Sequence, residues 1–107
     1  MNPKLKSLLG LARRAGKIVV GDESCMKAVR ANKAQLVVLA ADASDSTLKR
    51  YNDKCAYYKT ELVVIGSRFE LGEAIGKPQQ VVLVILDQGF ADGIRACREN
   101  TEVQSIE

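Results

Sequence analysis

Apolar positions at the start of the chain repeat with a helical period. Leu5, Leu8, Leu9 and Ala12 fall at i, i+3, i+4 and i+7 within residues 3–14, with Lys4, Arg13 and Arg14 off that face. This pattern predicts a helix that stops near Gly16. Ile18-Val19-Val20 then reads as a very short strand, broken by Gly21 where the backbone must turn or approach something closely. A second helix follows, with Cys25, Ala28 and Val29 as its apolar side, running out around Asn32.

The pattern changes over residues 36–41, a continuous apolar run of strand length. Such a run predicts a strand covered on both faces, because a half-exposed strand would alternate. Ser44 or Asp45 can cap a third helix, along which Leu48, Tyr51, Cys55 and Tyr58 form one stripe. Residues 62–65 predict another buried strand, and Ser67-Arg68-Phe69-Glu70 is a capping-box pattern opening a short helix that Gly76 and Pro78 terminate. Residues 81–86 make the last strand, and Phe90, Ile94 and Cys97 give a final helical stripe. The tail over 101–107 carries no pattern and is expected to fray.

The expected order is α-β-α-β-α-β-α-β-α over one domain spanning residues 1–107. Buried strands alternating with amphipathic helices call for an α/β fold, a three-layer α/β/α sandwich on a four-stranded sheet. The pattern leaves strand order and direction open, with a mixed sheet expected.

Composition narrows the chemistry. No apolar run approaches the roughly 20 residues of a membrane-spanning helix, which predicts a chain without a membrane partner. The three cysteines, Cys25, Cys55 and Cys97, sit in apolar or helical patterns with no CxxC pair, and the chain has no histidine. They are expected to be reduced packing residues, with no metal site. Lacking histidine, the chain also lacks the commonest general base, and it contains no GxSxG, GxGxxG or GxxxxGK[ST] pattern. Asp42, Asp45 and Asp87 follow strand ends, where a phosphate-handling enzyme would keep acids, but they read more simply as turn and capping residues. No enzyme and no cofactor are expected.

Charge adds a direction. The net charge is only +3, yet residues 1–35 hold eight basic and two acidic residues while 36–107 hold eight and eleven. A positive first third suits a polyanion such as RNA. Within it, Glu23, Lys27 and Arg30 lie at i, i+4 and i+7 and predict one outward stripe on the second helix. Gly21 permits close approach and the helix start offers free N–H donors. Lys27 and Arg30 supply phosphate-binding charge, and Glu23 can accept from base edges. The plainer reading is an Asp22 N-cap with a Glu23–Lys27 surface pair worth only a few tenths of a kcal/mol.

Five stretches carry a resemblance: LLGLARRAGKIVVG at 8–21, the longer run GKIVVGDESCMKAVRANKAQLVVLAADAS at 16–44, NDKCAYYK at 52–59, LGEAIG at 71–76 and DQGFA at 87–91. Together they resemble the L7Ae/L30e family of kink-turn RNA-binding ribosomal proteins, and within it the bacterial YlxQ-like branch. The resemblance implies a noncatalytic, cytoplasmic RNA-binding protein of α/β/α type without cofactor. Its expected partners are structured or ribosomal RNA and ribosome- or translation-related proteins. The family reads sheared G·A pairs with a Gly-x-Asn-Glu-x-x-Lys motif, matched here by Gly21, Glu23, Ser24 and Lys27. Two of the four are kept: Glu23 lacks the asparagine amide, and Ser24 is a short neutral hydroxyl in place of a carboxylate. Losing one bidentate base contact costs roughly 1–3 kcal/mol of discrimination. A second family contact, the loop before the last strand, corresponds to Lys77, Pro78, Gln79, Gln80 and Val81. Lys17, Lys27, Arg30 and Lys77 are the expected phosphate contacts. The alternative is a protein–protein interaction adaptor on the same fold that has lost specific RNA binding.

Overall fold

The computed structural model describes the backbone of residues 1–106 and the side chains of residues 1–97. Its elements are α1 (Pro3–Arg14), β1 (Ile18–Val20), α2 (Asp22–Arg30), β2 (Leu36–Leu39), α3 (Asp45–Tyr58), β3 (Leu62–Val64), α4 (Arg68–Ile75), β4 (Val82–Ile85) and α5 (Gln88–Ile106). The expected order of elements holds. The expected frayed tail over 101–107 lies outside the residues described with side chains.

The sheet is mixed, in the order β1-β4-β2-β3. β4 runs antiparallel to both β1 and β2, while β2 and β3 are parallel. Alternate residues of the apolar strands serve different layers. Leu36 and Val38 of β2 join Leu83 and Ile85 of β4 under α1, α4 and α5. Val37 and Leu39 join Val82 and Val84 under α2 and α3. Burial on both faces is why β2 and β4 read as unbroken apolar runs.

The last three strands are shorter than expected, with β3 ending at Val64 and β4 spanning Val82–Ile85, and β2, β3 and α2 differ in further ways. β2 ends at Leu39, although the Ala40 and Ala41 amides still bond outward to the Val81 and Gly66 carbonyls at 2.8 and 2.7 Å. β3 is an edge strand rather than a fully buried one, and Val64 is exposed. α2 closes at Arg30, two residues early, because Asn32 adopts a left-handed backbone with φ of 58°. Among the described residues no helix is long and apolar enough to cross a membrane.

Candidate nucleic-acid interface

Strand direction decides where the site residues meet. β1, β2 and β3 run the same way, and each feeds the next helix, so α2, α3 and α4 all begin at one edge of the sheet. β4 runs the other way and starts at that edge. Three helix N-termini therefore bring their positive dipole ends to one side of the molecule, and of the three only α2 has no side-chain cap.

At the start of α2, Gly21 takes φ 90° and ψ 140° and supplies no side-chain cap. A Cβ at Gly21 would meet nothing within 4 Å, so the glycine serves the backbone angle and not a shortage of space. Asp22 is not the N-cap that the plainer reading expected. Its carboxylate turns to α3, where the Tyr51 hydroxyl lies 2.8 Å from Oδ1 and Arg50 Nη2 donates to Oδ2 at 2.9 Å. The same hydroxyl lies 3.0 Å from the Asp22 carbonyl oxygen. Burial opposes ionisation of Asp22, but the bonds from Tyr51 and Arg50 outweigh it and hold the carboxyl below the usual carboxylate range. Burial above all, together with the Asp22 bond, pushes the Tyr51 phenol well up, so it stays a donor.

This clamp fixes the first turn of α2 from behind and leaves its front free. Glu23, Ser24, Lys27 and Arg30 are all exposed. Among the described residues their side chains make no hydrogen bond or ion pair, so the expected Glu23–Lys27 pair is not formed. Beneath them Cys25 is fully buried with its thiol 3.3 Å from the Val19 carbonyl, and burial pushes that thiol up to about 12. Cys55 and Cys97 are buried as well, in the packing role expected of all three.

The second expected contact approaches the same edge. After the left-handed Gly76, residues 77–81 double back along α4. The Lys77 amide bonds to the Gly72 carbonyl and the Gln80 amide to the Arg68 carbonyl, both at 2.8 Å. Gly72 makes this path possible: a Cβ there would lie 2.5 Å from Gln79 Cα. Gln79, Gln80 and Val81 form one wall of a groove of about 350 Å³, and Asp22, Thr47, Arg50 and Arg68 form the others. Lys77 and Pro78 are exposed outside it. Lys17 is not brought together with these residues; it precedes β1 and sits at the far end of that strand from Gly21, roughly 13 Å away at 3.3 Å per residue.

Thr47, Arg50, Tyr51 and Arg68 were missed in the sequence. Tyr51 read only as an apolar stripe residue, although a buried tyrosine hydroxyl needs a partner and that rule pointed to a polar neighbour. Arg68 is held by Asp42, whose Oδ1 accepts from the Arg68 amide at 2.9 Å and whose carbonyl accepts from Nη2 at 2.7 Å. Asp42 thus has the capping role read for it, as does Asp87, which accepts from the Phe90 amide at 2.9 Å. Each groove arginine is matched by an aspartate, so the unpaired positive charge lies on the outer faces of the helices. Among the described residues no group of three or more His, Cys, Asp or Glu side chains could hold a metal ion.

Comparison with known proteins agrees with this architecture. The chain is 48% identical over 85 residues to the RNA-binding protein YlxQ of Bacillus subtilis (strain 168), covering 79% of this chain and 85% of that one. It is 42% identical over 88 residues to the RNA-binding protein YlxQ of Enterococcus faecium, covering 82% and 84%. Among solved structures, a protein of unknown function from Bacillus halodurans C superposes with a TM-score of 0.86 at 42% identity, covering 89% of this chain and 96% of that one. The model of the ribosomal protein L7Ae/L30e/S12e/Gadd45 family matches residues 3–94, and the chain belongs to that family.

Proposed function

We propose that this chain is a noncatalytic, cytoplasmic RNA-binding protein, one domain over residues 1–107, that recognises structured RNA of the kink-turn or ribosomal kind through the start of α2. The observation that carries the reading is the first turn of α2. It is clamped from behind through Asp22, has no side-chain cap, and presents Glu23, Ser24 and Lys27 without partners beside a groove walled by Gln79, Gln80 and Val81. Rigid backing with unsatisfied donors in front is the arrangement a polar ligand completes. Two curated relatives named as RNA-binding proteins lend support across most of the chain.

The roles follow from position. The α2 backbone N–H groups and Ser24 hydroxyl meet acceptors on the RNA, while Glu23 accepts from base amino or imino groups. Lys27 and Arg30, one and two turns on, meet phosphates, as does Lys77 from the loop. Lys17 would reach only an RNA that also spans the opposite end of β1.

Titration of the purified protein against a kink-turn RNA, a variant lacking the G·A pairs, and total cellular RNA, each at two salt concentrations, tests the reading. The expected result is a preference for the intact kink-turn that weakens with salt and is reduced by Lys27→Ala. Equal, salt-sensitive binding to both model RNAs would remove the kink-turn part of the proposal. Binding to none would remove all of it in favour of the adaptor.

A further inference from the structure

We infer that the outer face of α3 is a second RNA contact, one that holds a single-stranded segment leaving the folded RNA on the α2 edge; it rests on the function proposed above. The face is a shallow concavity of about 520 Å³ lined by Ser46, Lys49, Arg50, Asp53, Lys54 and Tyr57. Arg50 lines both this concavity and the groove at the helix starts, so the two surfaces are continuous.

Charge and ring geometry select the occupant. Three cations, Lys49, Arg50 and Lys54, line it together with one carboxylate, Asp53. Asp22 engages Arg50, but among the described residues Lys49 and Lys54 have no carboxylate partner. Tyr57 is 77% exposed, the most exposed large hydrophobic side chain among the described residues. Its neighbour Tyr58 packs against it edge to face, with centroids 4.8 Å apart and planes at 79°, an arrangement that covers at most one face of the Tyr57 ring. An aromatic platform with lysines one and two turns back along the helix is the pairing that single strands use, a base on the ring and phosphates on the cations. Lys49 and Tyr57 are roughly 12 Å apart along the helix axis, the length of about three stacked nucleotides.

The test compares a blunt kink-turn RNA with the same RNA carrying a short oligouridine extension on either strand, and with free oligouridine. The expected result is that the extension tightens binding by about tenfold. Tyr57→Ala abolishes that gain, Tyr57→Phe keeps it, and Lys49→Ala with Lys54→Ala lowers its salt dependence, all without changing affinity for the blunt RNA. No gain from the extension, a gain that survives Tyr57→Ala, or an equal loss on blunt RNA would each overturn the inference. Free oligouridine separates this inference from the reading it rests on. Binding of oligouridine lost in Tyr57→Ala, beside a blunt RNA that Lys27→Ala leaves unaffected, would sink the α2 site and retain the α3 face.

Discussion

Two helices begin at the same edge of the sheet and finish their first turns in opposite ways. α4 is closed by its own side chains: Ser67 accepts from the Glu70 amide at 3.1 Å, Glu70 accepts from the Ser67 amide at 3.0 Å, and the Met1 ammonium group pairs with Glu70. α2 begins on a glycine with no side-chain cap, and the carboxylate of its first residue, Asp22, points away to α3. The first arrangement satisfies its donors internally and stabilises the fold. The second is held rigid yet leaves donors unsatisfied, which costs stability and keeps an edge available. The loop after α4 packs on the closed helix and so brings a second wall to the open one.

Substitutions can break this contrast, and the largest effect is expected where α4 meets its loop. Gly72→Ala puts a Cβ 2.5 Å from Gln79 Cα, which the backbone must yield to. A loss of about 3 kcal/mol in urea unfolding is expected. Gly21→Ala meets no neighbour, but φ of 90° with ψ of 140° is strained for any side chain. It should cost about 2 kcal/mol and disturb the α2 turn as well, with an equal or smaller cost for Gly21→Asn. A stability unchanged by Gly21→Ala would mean that the start of α2 is not held at that angle.

A serine stands at the start of both helices, Ser24 in the first turn of α2 and Ser67 at the cap before α4. Ser67→Ala removes a cap and should lose about 1 kcal/mol, whereas Ser24→Ala should stay within about 0.5 kcal/mol and act only on RNA affinity. Equal costs would show that α2 is capped in solution after all. The smallest effect lies in pH dependence. Burial disfavours charged Asp22, but Tyr51 and Arg50 hold its carboxyl below the ordinary value of 3.8. For Glu70 the Met1 ammonium group, with the Ser67 amide, lowers it below 4.5. Both therefore contribute stability that is present above those ordinary values and is lost as pH falls through the lowered ones. Asp22→Asn and Glu70→Gln should each flatten the acid limb of the unfolding midpoint, with neutral stability changed little because both carboxylates are partly exposed.

Local pattern was enough for the elements. The capping box at Ser67 and Glu70, the Ser44 cap that accepts from the Thr47 amide at 3.2 Å, the left-handed Gly76 and the apolar runs of β2 and β4 all depend on neighbours within a few residues, and each was legible. The outward face of α2 was legible for the same reason, since Glu23, Lys27 and Arg30 share a face by helical period alone. What could not be read depends on residues far apart in the chain. The directions of the strands decided that α2, α3 and α4 start together, and the order β1-β4-β2-β3 decided that β3 is an edge, whereas the distance of Lys17 from Gly21 follows from β1 alone. The Asp22–Tyr51 bond joins residues 29 positions apart, and Arg68–Asp42 joins residues 26 apart. A carboxylate at the first turn of a helix has a local option, capping, and a distant one, and only packing of α3 on the sheet brought the distant partner within reach. Period and capping are properties of a segment, but the groove belongs to the way four strands were laid side by side.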